Sequence, residues 1–172
     1  MDQLITDLKT IQQRTVAEED ENIRFRQFLK YRLKWSDRKL DKVMHEIARE
    51  VAAGVDCTQC GNCCRGLEIS LDEEDLARLA TNLDMTVGQV EARYTKTGKF
   101  CDCTFTENPC AFLRENRCSV YAARPRDCRE YPHLDKSDLR ARMWQLLTNA
   151  GDCPIVFNTL QRIKRVIRDD AW

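Results

Sequence analysis

Apolar residues along the chain fall into helical stripes on either side of one long stretch without a period. Leu4, Leu8 and Ile11, then Ile23, Phe25, Phe28, Leu29 and Leu33, space themselves as helix faces over residues 1–35, one helix or two. The acidic run Glu18-Glu19-Asp20-Glu21 between them is a break or a solvated face. Leu40, Val43, Met44, Ile47 and Val51 make the clearest single stripe, with Ser36 placed to cap its start and Gly54 to stop it. Ser70-Leu71-Asp72-Glu73-Glu74 opens a short helix with acids at its positive end. Thr86 caps another that runs through Tyr94. The segment 99–105 alternates weakly, as a strand or hairpin arm would, and 106–133 is dense in Cys, Arg and Pro with no period. Ser137 is placed to cap a helix carrying Leu139, Met143, Leu146 and Leu147 as far as Gly151. Pro154 sits where a last helix starts, with Val156, Leu160, Ile163 and Ile167 inward and Arg162, Lys164, Arg165 and Arg168 outward.

Charge changes this picture little. The 172 residues carry 28 Lys+Arg and 28 Asp+Glu, a formal net charge of +0. That balance argues against nucleic acid as the main partner, because phosphate binding runs on Lys and Arg. A local basic group, Arg24, Arg26, Lys30, Arg32 and Lys34, reads as a solvated helix face. No apolar run approaches the ~20 residues of a membrane span, so no membrane partner is expected. Residues 1–7 lack the basic start and apolar stretch of a signal peptide, and the expected location is cytoplasmic.

Cysteine changes it a great deal. A chain of this length can bury enough surface to fold without disulfide staples. In a reducing compartment its 10 cysteines read as metal ligands or reactive thiols rather than as a framework. The first group is Cys57-Thr58-Gln59-Cys60-Gly61-Asn62-Cys63-Cys64. Each C-x-x-C step lets one turn offer two thiolates to one ion, and Gly61 allows a tight turn between the steps. Cys64 directly follows Cys63, and neighbouring side chains usually point apart. The doublet therefore suggests a multinuclear site, or one ligand beside a bridging or non-ligating thiol. At its fourth cysteine the run departs from the C-x-x-C-x-x-C-x-x-x-C-P pattern of bacterial iron–sulfur proteins.

The second group is Cys110-Ala111-Phe112-Leu113, then Cys118-Ser119-Val120-Tyr121, then Arg124-Pro125-Arg126-Asp127-Cys128-Arg129-Glu130-Tyr131-Pro132, with Cys153-Pro154 later. Together with the first group these segments resemble the CxxCxxCC family, often called YkgJ-like. That family reads C-x-x-C-x-x-C-C, then C-x-F-L, then C-x-x-Y-x-x-R-P-x-x-C-R-x-Y-P, with a later C-P in many members. The resemblance runs from Cys57 to Pro154. It implies chelation of zinc or iron, with Cys57, Cys60, Cys63, Cys64, Cys110, Cys118, Cys128 and Cys153 as metal ligands, and it leaves the biological role open. Flagellin lysine-N-methylases carry a similar cysteine pattern, which keeps open an iron–sulfur cluster protein acting in redox or methyl-transfer chemistry. The chain shows neither a glycine-rich strand-to-helix fingerprint nor a P-loop, and it lacks room for the larger methylase body. No nucleophile–base pair stands out, so enzyme status is open.

Other residues near the motifs are weaker candidates. Cys101 and Cys103 fall outside the family pattern and read equally as packed thiols, since cysteine behaves as a small apolar residue. His133 could close an incomplete site or be structural, and His45 lies well before the cluster. Asp127 and Glu68 could bind a harder ion such as ferrous iron. Tyr121 and Tyr131 read as packing residues. Eight thiolates would carry twice the charge that two divalent ions return, so a dry centre needs positive compensation. Arg65, Arg114, Arg117, Arg124, Arg126 and Arg129 lie in the motif segments, and Arg124 in the Arg-Pro step is expected to be buried or bridging. A zinc-ribbon-like adaptor is a further class.

The fold expected is mainly α: a single small helical domain with an irregular cysteine-rich metal-binding centre and room for a short β-hairpin. Its segments are a helical 1–54, a cysteine-cluster domain over 55–155, and a C-terminal helix over 156–172 packing on it.

Overall fold

The computed structural model describes residues 3–99 and 102–168. In chain order the helices and strands are α1 (Leu8–Ala17), α2 (Glu19–Tyr31), α3 (Asp37–Ala53), α4 (Cys57–Cys60), α5 (Cys63–Gly66), α6 (Glu73–Leu83) and α7 (Val87–Tyr94). Then come β1 (Thr95–Lys96), β2 (Thr104–Phe105), β3 (Leu113–Arg114), β4 (Arg117–Cys118), a 3-10 turn (Tyr121–Ala123), α8 (Arg126–Glu130), α9 (Leu139–Asn149) and α10 (Pro154–Arg168). The fold is mainly α with two short antiparallel strand pairs, as the sequence leads one to expect. Among the described residues no helix is long and apolar enough to cross a membrane.

Two compact units divide the chain: Cys57–Tyr131, and Met1–Asp56 together with Pro132–Trp172. The second of these is a helical unit in which α10 packs on α3 and α2 on α9. Its core takes Ile11, Phe25, Leu29, Leu40, Met44 and Val51 from the first three helices. Met143 and Leu146 of α9 and Val156, Leu160, Ile163 and Ile167 of α10 complete it. The stripes of α3 and α10 thus point inward as their spacing predicts. Ser36 caps α3, its hydroxyl accepting from the Lys39 amide at 3.2 Å. Glu18 is the junction between α1 and α2, so the acidic run does mark a break.

Gly54 stops α3 as expected, with φ −99° rather than a left-handed turn. Its small size matters too, since a Cβ there would stand 2.7 Å from Leu4 Cδ1. Two expectations are corrected in this unit. Ser137 does not cap α9. The N-cap is Asp138, held at φ 61°, and the carboxylate of Asp41 on α3 accepts from the amides of Asp138 (3.1 Å) and Leu139 (3.0 Å). Lys164 is not outward but 2% exposed, its Nζ 3.2 Å from Glu21 and 3.6 Å from Glu18. It follows Leu160 by four residues, so helical spacing turns it inward, and the carboxylates of Glu18, at the α1–α2 junction, and Glu21 of α2 compensate its charge.

The unit Cys57–Tyr131 has a smaller core of Leu71, Leu76, Leu79, Ala80, Val90, Phe112, Val120 and Ala123. The Phe112 ring lies 4.8 Å from Tyr94 and 5.4 Å from Phe105, centroid to centroid. Thr86 caps α7 in a capping box with Gln89, as its sequence predicts. Asp72 caps α6, again in a capping box, here with Asp75. The strand expected over 99–105 is confined to Thr104–Phe105, paired with Thr95–Lys96, and Phe100 and Cys101 lie outside the described residues.

Candidate metal centre

The first cysteine motif is built on two single turns. In α4 the Gly61 amide donates to Cys57 O at 3.0 Å, and in α5 the Leu67 amide donates to Cys63 O at 3.1 Å. Between them Gly61 holds φ +60°, and a Cβ there would lie 3.3 Å from Asn116 Cα. Arg65 locks this corner: its guanidinium donates to Cys60 O at 2.9 Å and to Asn116 Oδ1. Asn116 belongs to the β3–β4 hairpin, which falls in the stretch whose sequence shows no period. Glu115 and Asn116 both have positive φ, the two-residue turn that matches strand twist. Asn at the second place was its only local sign.

The second motif is pinned to the first through the backbone. The Cys110 amide donates to Cys64 O at 2.8 Å, and the hairpin register sets Leu113 opposite Cys118. Cys128 rides on α8, whose position depends on two carboxylates. Asp127 accepts from the Ser70 amide at 2.9 Å. Asp75, 1% exposed, accepts from the Arg126 amide at 2.8 Å and from Arg78. Asp75 was invisible as a site-supporting residue in the sequence, because its role arises only when α6 meets α8. Asp127 likewise holds backbone here.

Electrostatics join several of the thiols, Cys63, Cys64, Cys110, Cys118 and Cys128 among them. A hydrogen bond with Cys63, whose sulfur is 4.0 Å away, then burial, push the Cys64 thiol far above its ordinary value. Burial is the leading cause for the rest. It raises Cys110, aided by Cys64 and Cys118, and it raises Cys118, aided by Cys64. Cys128 is pushed up to about 12 by burial and by the charges of Cys64, Cys110 and Cys118. Arg124 works the other way on Cys64, Cys118 and Cys128. Half-buried, it lies 3.6 Å over the Tyr121 ring, and its Nε donates to Tyr121 O at 3.2 Å. Tyr121 itself is 62% exposed, so it shelters Arg124 rather than the core.

Such a set suits a soft dication. Each thiolate makes the next harder to form, sulfur is the donor that zinc and iron share, and a bound cation would relieve the mutual repulsion. As the chain stands, no three His, Cys, Asp or Glu side chains among the described residues are grouped closely enough to hold an ion. Of the eight candidate ligands, Cys64, Cys110, Cys118 and Cys128 act on one another electrostatically, and Cys63 touches Cys64. Cys57, the one exposed candidate, and Cys60 flank this set on α4. Cys153 lies in the helical unit, buried ahead of α10, and the half-buried His133 and His45 belong to the same unit. Cys103 packs against the apolar core of the cysteine unit.

A family model whose description reads "CxxCxxCC: Putative zinc- or iron-chelating domain" matches residues 56–154, more than half of the 172-residue chain. Comparison with curated proteins and with solved structures gave no match.

Proposed function

The chain belongs to the CxxCxxCC family of zinc- or iron-chelating domains, and we propose that it binds its metal as thiolates of Cys64, Cys110, Cys118 and Cys128, with Cys57, Cys60 and Cys63 completing the ligand set. The observation that carries this reading is that the Cys110 amide donates to Cys64 O at 2.8 Å, bringing together segments of the family pattern whose thiols Cys110, Cys118 and Cys128 all feel the charge of Cys64. A bound ion supplies the positive charge these thiols lack. The chain's own residues do the rest. Gly61 and Arg65 set the corner of the first motif, Asp75 and Asp127 place Cys128, and Arg124 offsets residual negative charge.

The test is anaerobic purification with metal and acid-labile sulfide measured per chain, alongside an optical spectrum. Zinc, or iron without sulfide, in stoichiometric amount is expected, and Cys128→Ser should lose most of it. Full metal content and unchanged stability in both Cys60→Ser and Cys128→Ser would overturn the proposal. Iron with matching sulfide would replace it with an iron–sulfur centre.

A further inference from the structure

Net neutrality hides a strong segregation of charge in the helical unit. Between Arg24 and Lys39 the chain has seven Lys or Arg residues and a single acid, Asp37. The residues 139–149 of α9 add Arg140 and Arg142 and no acid. Aromatic rings interleave with these cations. Tyr31 is 74% exposed and Trp144 58%.

Side-chain contacts tie several of them together as a strip across α2, α9 and the start of α3. Arg140 of α9 donates to Leu33 O and Trp35 O and pairs with Asp37, which pins the 32–36 loop against that helix. Trp144 stands one turn further along the same face of α9, and Arg26 of α2 lies 5.7 Å from its ring centre. Lys30, one turn along α2 from Arg26, lies 5.3 Å from the Tyr31 ring, and Lys39 lies 3.9 Å from Trp35. The strip therefore holds three ring–cation pairs, Lys39 with Trp35, Arg26 with Trp144 and Lys30 with Tyr31. A helix face that only needs solvation has no use for two large rings left more than half exposed within it.

We propose that this strip binds single-stranded nucleic acid, with the phosphate chain following the Lys and Arg side chains and bases stacking on Trp144, Tyr31 and Trp35. Cations track the backbone and flat rings accept any base, so binding of this type is tolerant of sequence and steeply dependent on salt. Duplex nucleic acid offers no unstacked bases to the rings, which favours the single strand. The aromatic rings also set the occupant apart from an acidic peptide, which would need the charges alone. The strip lies wholly within the helical unit, so this inference stands apart from the metal reading.

The test is fluorescence anisotropy of labelled twenty-nucleotide oligo-U and oligo-dT with the full-length protein at several salt concentrations. Binding that weakens as salt rises is expected, stronger for the single strands than for a duplex of equal length. Trp144→Ala and Tyr31→Ala should each weaken it about fivefold to a hundredfold. Replacing Lys30 and Lys34 with Ser should shrink the salt slope by roughly 0.7 for each phosphate that is no longer neutralised. Both rings are exposed, and unchanged circular dichroism would confirm that the variants fold. Absence of binding at low salt would overturn the proposal. So would equal affinity for polyglutamate or phosphatidylserine vesicles with no response to Trp144→Ala, which would mark a surface for acidic proteins or membranes.

Discussion

Gly61 shows how much a single position can decide. Its φ of +60° is costly for any residue with a Cβ, and that Cβ would also meet Asn116 Cα at 3.3 Å. Gly61→Ala should cost about 1–2 kcal/mol from the backbone alone, read as a shift in denaturation midpoint. It should also lower metal affinity, because the corner orients the first motif. An unchanged midpoint would mean that the corner relaxes without strain. Glu18 is the residue for pH. Burial pushes its carboxyl up, but hydrogen bonds from Gln161 and Arg14 and the charges of Arg14 and Lys164 outweigh burial and hold it below the usual 4.5. A carboxyl lowered on folding contributes stability above its unfolded value and loses that contribution as pH falls through its folded one. The melting temperature should therefore drop in acid below about pH 4.5, and Glu18→Gln should flatten that limb. An identical acid limb in the variant would assign the proton uptake to other carboxylates.

At the scale of elements, α9 depends on a carboxylate from α3. Asp41 takes the two amides at the start of α9, a cap supplied from outside the helix. Asp41→Ala should cost about 1–2 kcal/mol, with faster amide exchange confined to the first turn of α9. Uniform exchange would argue that the cap is redundant. The same element shows what the sequence could and could not reveal. Apolar stripes and local caps were legible: Leu40 to Val51 with Ser36, and Thr86 with its capping box, need only a few neighbouring residues. Ser137 misled because the true cap comes from a residue far back in the chain. Lys164 misled because its charge outweighed its spacing. The β3–β4 hairpin was missed because its strands are two residues long and its turn is Glu115-Asn116 rather than an Asn-Gly pair. The order of the cysteines was plain, whereas the Cys64–Cys110 backbone hydrogen bond and the supporting carboxylate of Asp75 are tertiary facts with no local sign.

For the whole molecule, the two units differ in what stabilises each of them. The helical unit has long amphipathic helices with a deep apolar core, and it carries most of the helical residues. Among the described residues the unit Cys57–Tyr131 has eight buried apolar residues in its core, two of them alanine, and its strands are two residues each. A core that small leaves little net stability once chain entropy is counted, and natural domains of this kind rely on a staple. Metal–thiolate bonds would be that staple, since ligand binding to the folded state adds directly to stability. Chelation under reducing conditions should therefore abolish the near-ultraviolet dichroism of Tyr94, Phe105 and Phe112 and the amide protection of α6 and α7. Most of the far-ultraviolet helical signal should persist, because it arises from the other unit. Restoring metal should restore both lost signals. If α6 and α7 kept full protection without metal, the apolar core would be sufficient alone, and the cysteines would hold an ion for what it does elsewhere rather than for the fold.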